Sequence, residues 1–141
     1  MAIYDATQTN NSSRSVKKYS DLNLNFTKNP ATGDVARLTD IEAVKRSVRN
    51  LIMTNQFERP FHPELGSSVR ALLFEPITPL NAVLLEDRVR EVIINFEPRA
   101  SVGSVQIFDD IDNNRYKVII NFKVISTSED VTITEFLQRL R

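Results

Sequence analysis

Tyr116-Lys117-Val118-Ile119-Ile120-Asn121-Phe122-Lys123-Val124-Ile125 is the stretch on which the fold class turns. β-Branched and aromatic residues dominate it, as they do in strands. Tyr116, Val118, Ile120, Phe122 and Val124 fall on one side. Lys117, Ile119, Asn121, Lys123 and Ile125 fall on the other. A period of two with one side wholly apolar predicts a strand with one strongly buried face. Upstream, Val102, Val105 and Ile107 lead into Asp109-Asp110-Ile111-Asp112-Asn113-Asn114, a polar run suited to a hairpin tip. Downstream, residues 126–130 turn the chain again, and Val131-Thr132-Ile133-Thr134 opens a third strand running toward Leu140. Phe136, Leu137 and Leu140 also fit one helical turn; the strand is preferred. The expected C-terminal unit is an antiparallel three-stranded sheet over residues ~101–140, its boundary set to within ~2–4 residues.

The middle of the chain has the helical period. Ile41, Val44, Val48, Leu51 and Ile52 recur on one side, with Lys45, Arg46 and Arg49 mostly opposite, which predicts an amphipathic helix ending near Thr54-Asn55. Thr39 and Glu42 fit a capping box at its start. Pro60 and Pro63 forbid helix from Phe57 onward and make a stiff connection. Gly66 or Ser67 then opens a short helix over Val69, Leu72, Leu73 and Phe74, stopped by Pro76. Thr78-Pro79 reads as N-cap and first helical residue of a second long helix. Leu80, Leu84, Leu85, Val89, Val92, Ile93 and Phe96 give that helix a broad apolar face, and Pro98 lies at its end.

Toward the N-terminus, Leu22-Asn23-Leu24-Asn25-Phe26 alternates like a strand with one buried face. Asn29-Pro30-Ala31-Thr32-Gly33-Asp34 should reverse the chain, and residues 35–38 would return as its partner. Residues 1–18 are polar and predict a flexible arm, either mobile or ordered on a neighbouring subunit. Residues 19–141 form one domain, of α+β class: an N-terminal strand pair, two long helices with a short one between, then the sheet.

Composition narrows the function. The chain has 141 residues, with Lys plus Arg and Asp plus Glu equal at 18 each. That balance gives no basic excess for phosphate contacts and argues against a nucleic-acid partner. The absence of cysteine removes disulfides, thiolate catalysis and Cys-type zinc sites. No stretch approaches the ~20 apolar residues of a membrane span, and the N-terminus lacks a signal-peptide pattern. The reading is a protein made in a cytoplasm, with no membrane partner and no cofactor.

Candidate chemistry is sparse. His62 is the single histidine, beside prolines, and nothing around Ser67-Ser68 resembles a nucleophile elbow. Glu58, Glu64, Glu75 and Glu97 are the carboxylates from which a hydrolase would draw a pair; surface ion pairing explains the same residues. The acidic run 109–114 lacks the glycine and closing acid of a calcium loop. Three glycines in no cluster give no phosphate cradle and no support for a small-molecule nucleotide. Glu97-Pro98-Arg99 remains. Arginine offers a rigid fork of donors, Glu a complementary acceptor, and proline fixes the backbone between them. That spacing suits a docking knob, and it equally suits an internal ion pair at a helix end.

Phe57-Glu58-Arg59-Pro60-Phe61-His62-Pro63-Glu64-Leu65-Gly66, then Leu72-Leu73-Phe74-Glu75-Pro76, then Glu97-Pro98-Arg99, in that order, resemble the baseplate wedge and sheath-initiator family of contractile-tailed phages. Relatives of that family occur in pyocin-like particles and type VI secretion systems. The resemblance runs from about Tyr19 to the C-terminus. It implies a non-enzymatic structural subunit of the virion's tail baseplate, with other wedge proteins and tail sheath subunits as partners. It implies that Glu97, Pro98 and Arg99 attach to the helical core bundle of the wedge, and that the β-rich part accepts strands from the first sheath ring. Arg99→Ala is then expected to weaken docking while sparing the isolated fold. An old lysozyme-like label attaches to the family, and a peptidoglycan-degrading tail enzyme is the alternative function.

Overall fold

The computed structural model describes residues 19–140. The arm expected over residues 1–18 lies outside them. In chain order the elements are β1 (Ser20–Leu22), β2 (Arg37–Thr39), α1 (Asp40–Met53), α2 (Val69–Leu72), α3 (Pro79–Phe96), β3 (Ala100–Asp110), β4 (Arg115–Val124) and β5 (Glu129–Gln138). β1 pairs with β2, and β3-β4-β5 form a second, antiparallel sheet in sequence order. The α+β architecture follows the reading of the sequence.

β4 is the centre of the molecule. Tyr116, Val118, Ile120, Phe122 and Val124 are all buried against the helical layer. Opposite them on the same face lie Val105 and Ile107 of β3 and Val131, Ile133 and Leu137 of β5. α1 contributes Val44, Val48 and Ile52, and α3 contributes Leu85, Val89 and Ile93. Each large side chain removed from water here is worth roughly 1.5–3 kcal/mol, so this interface dominates the fold's stability. The reverse face of the sheet has no layer over it among the described residues. Gln106, Ile119 and Thr134 form one cross-strand row on it, and Phe108, Lys117 and Phe136 the next.

Two turns and one helix start behave as their sequences require. At the 111–114 tip, Asp110 accepts from the backbone and side chain of Asn113 and from Arg115 Nε at 2.8 Å. Thr78 caps α3 by accepting from Asn81 N at 3.2 Å, with Pro79 at the first helical position. The Asn29–Asp34 reversal also forms, with Asn29 O accepting from Gly33 N and Asn29 Oδ1 from Ala31 N.

Four expectations are corrected. The first N-terminal strand is Ser20–Leu22 and its partner Arg37–Thr39, so the alternating run 22–26 is mostly a turn. Asn23 Oδ1 accepts from Asn25 N and Asn23 O from Phe26 N, which draws the backbone out of an extended ladder. Leu22, Leu24 and Phe26 are all more than half exposed. The capping box does not form: Thr39 makes no side-chain cap because it closes β2 opposite Ser20, and Glu42 pairs with Lys45. Asp40 instead holds the chain entry, its Oδ1 accepting from Tyr19 N at 3.1 Å and its N donating to Tyr19 O at 2.8 Å. The short helix ends at Leu72, leaving Leu73 buried but Phe74 exposed. Finally, Leu80 and Leu84 do not join the apolar face of α3; they are exposed, and burial begins at Leu85.

Candidate functional site: the Glu97–Arg99 helix end and the open sheet edges

α3 ends where Pro98 makes further helix impossible. Glu97 N still donates to Ile93 O at 2.9 Å, and Ala100 N turns back to Glu97 O at 3.1 Å, so the chain swings directly into β3. This places Glu97 in the interior, only 2% exposed, with Pro98 on the outside. Arg99 closes on Glu97 with two parallel bonds, Nε to Oε1 at 2.6 Å and Nη2 to Oε2 at 2.9 Å. Nη1 lies 3.1 Å from both carboxylate oxygens of Asp21 in β1. The guanidinium also stands over the Tyr19 ring, 5.5 Å from its centroid.

The electrostatics follow from the burial. Desolvation pushes the Glu97 carboxyl up, but hydrogen bonds from Arg99 and Ser47 outweigh it and hold the group below the usual carboxylate range. The Glu97 hydrogen bond raises Arg99 beyond its already high value, against the cost of burial. Of the two readings that spacing leaves open, the geometry gives the internal ion pair: all three guanidinium nitrogens are engaged within the chain. Arg99→Ala would strand a buried carboxylate, so the expectation that this change spares the isolated fold is corrected.

The other acids have separate partners. Glu58 accepts from Asn55 in its own loop, Glu64 lies 3.1 Å from His62 Nδ1, and Arg139 reaches the backbone carbonyl of Glu75. Five of the surface recesses are lined without Glu58, Glu64, Glu75 or Glu97. Ser67 is buried and donates to Ile52 O, far from the role of a nucleophile. Among the described residues no cluster of three metal-binding side chains occurs, and no helix is long and apolar enough to cross a membrane.

The loop from Asn55 to Ser67 is more ordered than a stiff connection. It is tied by Phe57 N to Pro63 O, Leu65 N to His62 O and Ser67 N to Thr54 O. Gly66 has φ +133° and lies so close to Asn55 that a Cβ would stand 2.6 Å from its backbone. Phe57 and Phe61 both adopt positive φ and point outward.

The sheet offers the second notable feature. Among the described residues, no backbone hydrogen bond reaches the outer edge of β3 from Ser101 to Asp110, or of β5 from Glu129 to Gln138. The reading of the sequence gave a sheet with an edge to spare but not which edge. It also missed Tyr19 and Asp21 as partners of Arg99, because a contact spanning 78 residues leaves no local pattern.

A packed apolar core, unpaired sheet margins and an ion-paired helix end describe an assembly scaffold as a class. Residues 39–129 match the family described as "Baseplate wedge protein gp25". The chain belongs to that family and is a baseplate wedge protein of contractile tail systems. The baseplate wedge protein gp25 of Enterobacteria phage T4 is 33% identical over 115 residues, covering 82% of this chain and 86% of that one. A chain of the anti-feeding prophage baseplate superposes with a TM-score of 0.67 at 29% identity, over 76% of this chain and 86% of its own. A Geobacter sulfurreducens chain provisionally named a tail lysozyme gives a TM-score of 0.66 at 25% identity, over 71% and 91%.

Proposed function

We propose that this chain is a non-enzymatic structural subunit of the tail baseplate wedge. It docks on the core helical bundle of the wedge at the helix end formed by Glu97, Pro98 and Arg99, and it starts tail sheath assembly by accepting a strand at its C-terminal sheet. Its partners are other wedge proteins and sheath subunits, and its place is the virion tail, assembled in the host cytoplasm. One observation carries the assembly reading: a sheet packed on one face retains two unpaired edges, each a row of backbone donors and acceptors that an incoming strand satisfies.

Docking at residues 97–99 takes a form different from a free arginine. Glu97 is committed to Arg99, so Pro98 and the outer side of Arg99 present the contact, and the internal pair fixes their angle. Arg99→Lys keeps the charge and removes the fork. Co-purification with wedge partners is expected to fall beyond what the change in thermal stability of the free chain accounts for. Full incorporation despite a lower melting temperature would leave the triplet a purely internal brace.

The second reading, a peptidoglycan-degrading tail enzyme, draws on the name of the Geobacter relative. Purified folded protein is expected to leave peptidoglycan intact. Clearing that is abolished by Glu58→Gln or Glu64→Gln would reverse the assignment.

A further inference from the structure

The two free edges differ. β3 carries a bulge: its register against β4 slips between Val102 and Ser104, with Gly103 as the extra residue. A Cβ at Gly103 would come within 3.3 Å of Asn121 O, so the strand has been pressed close to its neighbour there. Bulges of this kind twist an edge away from a would-be partner and are one of the devices that blunt edges. β5 has no such break. Its ten residues pair with β4 in continuous register, and Val131-Thr132-Ile133-Thr134 is β-branched throughout. It has neither proline nor glycine.

β5 also borders two separate recesses, one toward each end of the strand. Leu38, Glu42, Lys45, Arg46 and Arg49 line the first with Ile133 and Glu135, and Met53, Arg70, Leu73, Leu137 and Leu140 line the second. Each is open to solvent and has a volume of about 310 Å³. In the first the acids are already used: Glu42 holds Lys45, and Glu135 holds Arg49 at 2.9 Å. Among the described residues Arg46 contacts the neutral side chain of Asn25 and no carboxylate, so this recess carries net positive charge. The second is mostly apolar, with Met53 and Phe136 about half exposed at its rim and Arg70 and Gln138 as its polar members.

Resting on the strand-addition reading above, we propose that β5 is the accepting edge. The segment it takes is an extended strand carrying an acidic side chain toward Arg46 and, about four residues along, an apolar one toward Met53 and Leu73. The separation follows from β5 itself: Ile133 and Leu137 mark the two recesses on the inward face, and four residues of strand span about 13 Å. The row of unpaired backbone groups selects an extended chain over a helix, and the two recesses select its side chains.

Gln106, Ile119 and Thr134 form one row across the sheet, which places Gln106 and Thr134 as matched positions on opposite edges of the exposed face. The chain has no cysteine, so Thr134→Cys and Gln106→Cys each supply one thiol. Each variant, labelled with benzophenone-maleimide and assembled into tail particles, is photolysed and its adducts sequenced by mass spectrometry. An adduct at Thr134→Cys alone, to a segment of another tail protein with the acidic and apolar spacing above, is the expected result. Adducts at Gln106→Cys alone would overturn the choice of β5 while leaving strand addition in place. Equal adducts at both would put the partner on the sheet's face, and adducts at neither would remove strand addition itself. Arg46→Glu and, separately, Lys45→Glu should each lower incorporation about two- to fivefold at low salt and less at high salt. Unchanged incorporation of both would overturn the acidic half of the proposal.

Discussion

The three-stranded sheet and the small β1–β2 pair are held by different forces. β4 buries five side chains in an apolar layer, and no charged group is needed to keep it there. The β1–β2 pair has three residue pairs, and Leu22 within it and Leu24 just beyond it are exposed. It is tied down by polar bonds: Asp21 to Arg99, Tyr19 to Asp40, and Asn25 to Arg46. One region is therefore a source of stability and the other a passenger whose position depends on charges. Arg99 joins them, since it stands at the junction of α3 and β3 and grips β1.

The largest effect should come from the apolar side. Ile120 is fully buried at the middle of β4, and Ile120→Ala is expected to cost about 2–5 kcal/mol in denaturant unfolding. A cost below ~1 kcal/mol would mean that the sheet is not the main source of stability. Next is the joint. Arg99→Ala leaves Glu97 buried without its fork, at a cost of about 2–3 kcal/mol, below the range for fully buried pairs because Arg99 remains partly exposed. Glu97 has a folded-state pKa below its ordinary value of 4.5, so its stabilising share is complete above that pH and fades as pH falls through the folded value. The melting-temperature gap between wild type and Arg99→Ala should therefore be widest near neutrality and shrink in acid. A gap that stays constant down to pH 3 would contradict the ion-pair account. Smaller again is the local cap: Thr78→Ala is expected to cost about 1 kcal/mol, because one N–H of the first turn of α3 loses its acceptor.

The same contrast explains what could be read from sequence. β4 was legible because burial itself imposes the alternation of Tyr116, Val118, Ile120, Phe122 and Val124, and the Thr78-Pro79 start was legible because a cap involves neighbours only. Run 22–26 has the same alternation, yet its asparagines bond locally and no layer among the described residues receives Leu24 or Phe26. Thr39 and Glu42 have capping-box spacing, but Thr39 is held in β2 opposite Ser20 and Glu42 pairs with Lys45. At the candidate site, the Glu97-Pro98-Arg99 spacing was visible and suited an internal pair and a docking knob equally; the burial of Glu97, which decides for the pair, and the added contact to Asp21 depend on residues distant in sequence. The choice between sheet edges was hidden too, since it hangs on one extra residue, Gly103, in β3.

The smallest effect tests whether β1–β2 is a passenger. Asp21→Asn keeps the side chain's size and removes the charge facing Nη1 of Arg99. The Asp21 side chain is 37% exposed, so the loss is discounted toward that of surface pairs, below about 1 kcal/mol globally. Local consequences should exceed the global one. Three paired residues with little apolar cover have few other contacts, so amides in Ser20–Leu22 and Arg37–Thr39 should exchange faster while those of β4 keep their protection. If β4 amides accelerated by the same factor, the two regions would open as one cooperative unit, and Arg99 would be transmitting the loss into the sheet. If neither changed, the Tyr19–Asp40 bonds alone would suffice to hold the pair, and the grip of Arg99 on β1 would be incidental to its bond with Glu97.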